Sequence, residues 1–326
     1  VTSPILLAVP NVSEGRSAET ITAIGEALLG GNGSTAQDFE LPVGVGAEGV
    51  RLLDVHSDPD HHRSVFTLAA HPLALADAVL RGAEETVSRI DSMGRPDGTE
   101  ARGQHPHVGA LDVAPIVYLD AADRGAACAT ALVVADRIGA ELAVPVLLYG
   151  ELTGDGSDPG RTRAELRRGG IAALAAWMGE ASGTGGRSRL RPDFGPSRPH
   201  PSAGATLVAA REPLVAFNLQ LAPPATVQDA RAIAAAVREG GERGLPGLRA
   251  IGVALAGGVA QVSMNVERPL ELALVTVLAS VRAFADVASA ELVGLAPAAA
   301  LEGFPEDLPM PGFDPVRHVI ENALGC

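Results

Sequence analysis

The sequence predicts an α+β fold of two ferredoxin-like (β-α-β-β-α-β) subdomains set side by side, on three observations. Short apolar runs that read as strands alternate with amphipathic helical stretches. The order β-α-β-β-α-β can be read once in each half, without a residue-level repeat. Between the halves, GEASGTGGRSRLRPD (179–193) is rich in Gly, Ser and Arg with little to bury, as a linker would be. The expected subdomains are therefore 1–178 and 193–326, joined by 179–192, with a ligand cleft between their sheets.

In chain order, ILLAVP (5–10) reads as a buried strand and NVSEGR (11–16) as a polar turn, where Ser13 is a candidate helix N-cap. Residues 17–29 carry Ile21, Ile24 and Leu28 at helical spacing. The glycine-rich stretch 30–49 is long enough for a lid. VRLLDV (50–55) and RSVFTLAA (63–70) read as strands around the polar turn HSDPDHH, followed by an amphipathic helix over 71–90. Strand 112–119, helix 121–142, strand 144–150 and helix 162–177 complete the first half. The second half reads as strand 213–221, helix 225–240, a hairpin of 248–255 and 259–266, helix 268–287 and strand 290–296. The Ala-rich faces of helices 121–142 and 225–240 are candidate homodimer surfaces, with burial against their own sheets the competing expectation.

Composition limits the function. With 47% hydrophobic residues and 20% charged, the 326-residue chain has ample core material. Aromatics at 3% and a formal charge of −14 argue against a nucleic-acid partner. Every basic residue is arginine, which excludes a lysine Schiff base and a GxxxxGK[ST] phosphate loop. A small anionic ligand then requires a local cluster of arginines. Two distant cysteines, no signal-peptide pattern and no apolar run near 18 residues lead us to expect a soluble cytoplasmic protein with no membrane partner.

Four polar stretches interrupt the apolar elements. In the first, Asn11 and Arg16 are candidate cleft residues. In the second, Asp54 and His56 alternate at a strand end and so point the same way, ahead of His62 and Arg63. Four of the eight histidines lie between positions 56 and 71, although Asp-Pro-Asp is also ordinary turn chemistry. The third, GQHPHVGALD (103–112), holds His105 and His107 on a glycine-bounded loop before a strand. An imidazole there suits proton transfer near neutral pH. The fourth runs from Asp193 and Gly195 through His200, Ser202 and Gly204 to Arg211, and its small residues would let backbone amides approach a ligand. His56, His61, His62, His105, His107 and Asp54 together also supply ligands enough for a zinc hydrolase. Against that reading, Pro106 splits the H-x-H pair and there is no H-E-x-x-H helix. No metal is expected.

VPNVSEGR, DPDHHRSVFT, GQHPHVGALDVAPIVYL, VPVLLYGE, RPDFGP, HPSAGAT, AREPLVAFNLQL, AQVSMNV and AELVGLAP occur here in one order. Together they resemble the formiminotransferase domain of glutamate formiminotransferase, from about residue 5 to residue 323. The cyclodeaminase part found fused to it in some organisms is not expected here. The resemblance implies two ferredoxin-like subdomains with a folate-binding tunnel between their sheets. It also implies transfer of a formimino group from N-formimino-L-glutamate to N5 of tetrahydrofolate, a one-carbon step of histidine degradation. His105 maps onto the family's catalytic histidine. Arg16, Arg63 and Arg211 are the candidates for the substrates' glutamate carboxylates.

The chain departs from the family near the presumed reaction centre. Glu-His-Pro-Arg becomes Gln104-His105-Pro106-His107, Asp-x-Asp becomes Asp54-Val55-His56, and Asn-Arg becomes His62-Arg63. The basic lead-in becomes Gly94-Arg95-Pro96-Asp97. A changed formimino or formyl donor, or a folate-binding protein that has lost catalysis, are the alternatives these changes raise.

Overall fold

The computed structural model describes residues 3–31, 44–94, 106–154, 160–178 and 190–325. Gln104 and His105, most of the glycine-rich stretch 30–49 and most of the expected linker lie outside the described residues. Among the described residues no helix is long and apolar enough to cross a membrane.

The mixed α+β character expected from the sequence is present, in two compact units, Val1–Arg211 and Glu212–Cys326. In the first, strands β1 (Leu6–Ala8), β2 (Asn11–Val12), β3 (Gly44–Val45), β4 (Arg51–Asp58), β5 (Arg63–Ala70), β6 (Leu111–Val117), β7 (Val146–Leu148) and β8 (Thr206–Arg211) form one sheet. Its order is β3-β4-β5-β1-β6-β8-β7, with β2 pairing both β5 and β6. Pairing is antiparallel except where β8 lies parallel to β6 and β7. Helices α1 (Ala18–Leu29), α2 (Pro72–Arg89) and α3 (Arg124–Glu141) pack with one face of the sheet. The two-residue period explains which residues they cover: Phe66, Leu68 and Ala70 of β5 join that core, so Arg63, Val65, Thr67 and Ala69 face the other way. On this second face, Leu166 of α4 (Arg163–Leu166) and Leu174 and Met178 of α5 (Gly170–Met178) pack with Val113, Leu147 and Leu207.

The second unit is a four-stranded antiparallel sheet, β10 (Leu248–Ala254), β11 (Ala260–Val266), β9 (Val215–Leu221) and β12 (Val287–Val293) in that spatial order. Helices α6 (Val227–Val237) and α7 (Leu274–Arg282) pack on one face with Phe217, Leu219, Val262 and Met264. The alternation in VAFNLQL and AQVSMNV sends Asn218, Gln220, Gln261 and Ser263 to the opposite face.

Several expectations change. The boundary falls after Arg211 rather than within 179–192, because Thr206–Arg211 fills the parallel slot between β6 and β7 and so belongs to the first sheet. The helix expected over 162–177 is two helices, since Gly169 and Gly170 both take positive φ (82° and 65°) and end the first. The helix expected over 268–287 is confined to 274–282, after Pro269 and before β12 begins at Val287. Ser17 rather than Ser13 caps α1, accepting the Thr20 amide at 3.2 Å. The polar turn 11–16 begins as strand, because Asn11 and Val12 complete the ladder between β5 and β6.

Phe66 is fully buried at the centre of the first core. Phe66→Ala is expected to lower the unfolding free energy by about 3–5 kcal/mol, read from the urea midpoint at unchanged slope.

Candidate active site

Strand β2 ends in a polar corner. The Ser13 hydroxyl donates to the Gly109 carbonyl at 2.7 Å, and the Ser64 hydroxyl donates to the Glu14 carbonyl at 2.6 Å. The buried Glu14 carboxylate accepts the amides of Arg16 (2.8 Å) and Ser17 (3.1 Å) at the start of α1, where the helix dipole favours a negative charge. Gly15 presses on the β4–β5 hairpin: a Cβ there would lie 2.3 Å from the Asp58 carbonyl oxygen and 2.6 Å from the Arg63 nitrogen. The Gly15 amide donates to His62 Nδ1 at 3.1 Å, which leaves the ring proton on Nε2. The Glu14 carboxylate approaches the same Nδ1 at 3.4 Å.

The hairpin turn is organised by Asp58. Its carboxylate accepts the amides of Asp60 (2.8 Å) and His61 (2.9 Å) and meets His61 Nδ1 at 2.5 Å. Burial alone would raise its pKa, but the His61 ring and these two amides prevail and hold it at about 2. His62 follows at φ 50°, and the exposed Arg16 reaches back with Nε to the Pro59 carbonyl at 2.9 Å.

A second corner lies beside the first. Asn11 pairs with Val113 and Val12 with Leu111, so Asp112 is the extra residue of a β-bulge. Its buried carboxylate accepts the Val108 amide at 2.9 Å through Oδ1 and Arg167 Nη2 through Oδ2. Arg167, itself buried, has an Nε with no hydrogen-bond partner among the described residues. The half-buried His107 leads into this segment, and its carbonyl oxygen is 3.7 Å from where a Cβ on Gly170 would stand. Beyond it, Gly109 pairs with Gly204 in an isolated bridge.

Arg63 faces these groups from β5. Among the described residues its guanidinium has no hydrogen-bonding or ion-pairing partner. Burial first, then the Arg167 and Arg163 cations, push its pKa down to about 10, partly offset by Asp58 and Asp112. Register places Asp54 opposite Thr67, His56 opposite Val65, and Asn11 beside Val65. Asn11, Asp54, His56 and Arg63 thus share the sheet face away from α1, α2 and α3.

Other sequence candidates lie apart. Arg211 ends β8 five residues beyond Thr206, about 17 Å along the strand from the Gly109 end. Asp193 accepts the Leu148 amide and the Arg161 guanidinium, bracing β7. Gly195, at φ 76°, packs against Gly139 of α3. His200 accepts the Ala203 amide at 3.1 Å and lies within hydrogen-bond reach of Ser202. The Gly204 and Ala205 amides, which the sequence offers to a ligand, donate instead to the His200 and Val108 carbonyls. This loop is stitched to itself and to the His107–Gly109 segment.

Sequence reasoning passed over Asp112 and Arg167. The available signal was Arg163 and Arg167 at i,i+4 with no acidic residue between them able to pair with both. It also passed over the polar face of the second sheet. There Asn218 donates to Glu291 at 2.7 Å and accepts from Ser263 at 2.8 Å, while both amide atoms of the fully buried Gln261 have no partner among the described residues. Among the described residues no group of three or more His, Cys, Asp or Glu could hold a metal ion.

Residues 5–211 match the formiminotransferase domain, N-terminal subdomain, ending where the first unit ends. Over nearly its whole length (98% of each chain) the protein is 32% identical to a glutamate formimidoyltransferase of Streptococcus pyogenes serotype M1. It is 30% identical to another of Thermoplasma acidophilum, over 90% of this chain and 88% of that one. A formimidoyltransferase-cyclodeaminase of Mus musculus is 33% identical over 92% of this chain and 51% of its own.

Asp58 carries the pH prediction. Its folded pKa of about 2 lies below the 3.8 of a free carboxyl, so its stabilisation is complete above that value and is lost as pH falls through 2. Asp58→Asn is expected to flatten the stability curve between pH 4 and 2, by about 2 kcal/mol, in urea titrations at stepped pH.

Proposed function

The chain belongs to the formiminotransferase family and is a transferase, and on that premise we propose that it moves the formimino group of N-formimino-L-glutamate to N5 of tetrahydrofolate. This is the one-carbon step that closes histidine degradation. Tetrahydrofolate is the co-substrate and His105 the general acid and base. Each unit supplies a β-α-β-β-α-β motif whose strands lie in the spatial order second, third, first, fourth (β4-β5-β1-β6 and β10-β11-β9-β12), which we take as ferredoxin-like.

The chemistry asks for little beyond an imidazole and charge. Attack by N5 on the amidine carbon gives a tetrahedral centre with an excess proton on the attacking nitrogen. The glutamate nitrogen needs a proton to leave. One imidazole can take the first and deliver the second, so no covalent enzyme intermediate is required. Both substrates are anionic, and an acidic protein must concentrate cations locally to hold them. The observation that carries this reading is Arg63, a cation without an acceptor among the described residues, on the face shared by Asn11, Asp54 and His56. On the second sheet, the buried amide of Gln261, without a partner among the described residues, lies beside the Ser263–Asn218–Glu291 row and carries both donors and an acceptor. That combination suits the amide-like edge of a pterin.

His105→Ala is expected to lower kcat by about 10²–10⁴-fold while tetrahydrofolate affinity stays within a few-fold. N-formimino-L-glutamate and N-formyl-L-glutamate assayed side by side reveal whether Gln104 and His107 have changed the donor. Full rate in His105→Ala, or no turnover of either donor by the wild type, overturns the proposal.

A further inference from the structure

The bulge at Asp112 holds more than a structural ion pair. A buried Asp–Arg pair needs one arginine, yet Arg63 shares the sheet face on which α4 brings Arg167 to Asp112. It precedes Ser64, which pairs with Val12, itself paired with Leu111 beside Asp112, and the Arg167 and Arg163 charges act on it. Burial and these like charges penalise the Arg63 cation. A cation kept in such a position lowers the stability of the free protein and calls for an anion beyond Asp58 and Asp112, which among the described residues are already held by His61 and Arg167. The second sign is the buried Arg167 Nε, which has no partner among the described residues although the same guanidinium is clamped through Nη2. A buried Nε–H without an acceptor, beside a second guanidinium, is a donor of the kind that carboxylates satisfy.

Resting on the formimino-transfer reading, we propose that Arg63 and Arg167 form a preassembled subsite for a glutamyl carboxylate, with Asp112 as its positioning residue. Asp112 holds Arg167 with one oxygen and the Val108 amide with the other. Val108 is three residues from His105 in the sequence, so the same carboxylate holds both the anion site and a described residue that closely follows the histidine. An occupied subsite therefore sets one end of the substrate relative to the segment that carries the proton-transfer group. Both substrates contain glutamyl carboxylates. The donor's own is the simpler fit, because a small donor must be oriented by groups close to its reacting nitrogen.

The test separates binding from turnover. In thermal-shift and calorimetric titrations with L-glutamate, the wild type is expected to bind and gain stability. Arg63→Gln should melt at a higher temperature than the wild type when free, since a repelling cation is gone, and should lose the glutamate-dependent shift. In assays, Arg63→Gln and Arg167→Gln should raise the donor KM by about 30-fold or more. For Arg63→Gln, kcat and the tetrahydrofolate KM should change by only a few-fold. A rise in the tetrahydrofolate KM instead assigns the subsite to the folate tail and overturns the donor assignment. Asp112→Asn, assayed below its melting temperature, should raise the donor KM and lower kcat together. A merely structural Asp112 would lower the melting temperature and leave both constants of the folded enzyme unchanged. Unaltered glutamate binding in both arginine variants, or a lower melting temperature in free Arg63→Gln, overturns the subsite. Should the wild type turn over no formimino donor, the glutamate titrations still decide the subsite independently.

Discussion

The carboxylate of Asp112 is buried between the Val108 amide, at 2.9 Å, and the Arg167 guanidinium, and the functional corner of the first unit is assembled around that interaction. A carboxylate taken out of water is tolerated only when its oxygens find strong donors, and removing one partner of a buried pair typically costs about 3–5 kcal/mol. The bulge creates the opportunity. By leaving Asp112 without a partner across β2, it frees the side chain from the regular alternation of β6. Short helix α4 then brings Arg167 down onto it, and Leu166 buries the adjoining turn among Val108, Val113 and Leu147.

Charge is distributed unevenly around this corner. The chain carries a formal charge of −14, yet Arg63, Arg163 and Arg167 gather where Asp112 is held by Arg167 and Asp58 by His61. Both acids are thereby occupied before any ligand arrives, and Arg63 keeps no acceptor among the described residues. Glu14 is likewise engaged, by the amides that open α1. Acidic side chains at this end of the sheet serve as braces for loops. Gly15 lets the two loops close on each other, because any side chain there would meet the hairpin backbone.

How far the sequence could be read differs between elements. Strands β4, β5, β9 and β11 and helices α1, α2 and α6 were legible because each has a period, two or 3.6, set by burial of one face. The pairing of Asp54 with His56 on one face followed from the same period. The joint between units was misplaced because a Gly- and Ser-rich stretch marks weak local structure, whereas the boundary depends on which sheet Thr206–Arg211 joins. Arg211 looked equivalent to Arg16 and Arg63 in the motif string, but it ends β8 about 17 Å along the strand from the Gly109 end.

The sequence by itself determined the α+β class, the order of most elements, the absence of lysine chemistry and the motif string that marks the family. These depend on local periodicity, composition and residue identity, all of which are carried along the chain. Only the tertiary structure decided that Asp112 is a bulge residue, that Arg167 completes the corner with Arg63, and that the 200–204 loop spends its amides on its own backbone. Those outcomes depend on strand register and on the burial of charges far apart in sequence. The electrostatic consequence of burying a charge is set by neighbours that no local window contains.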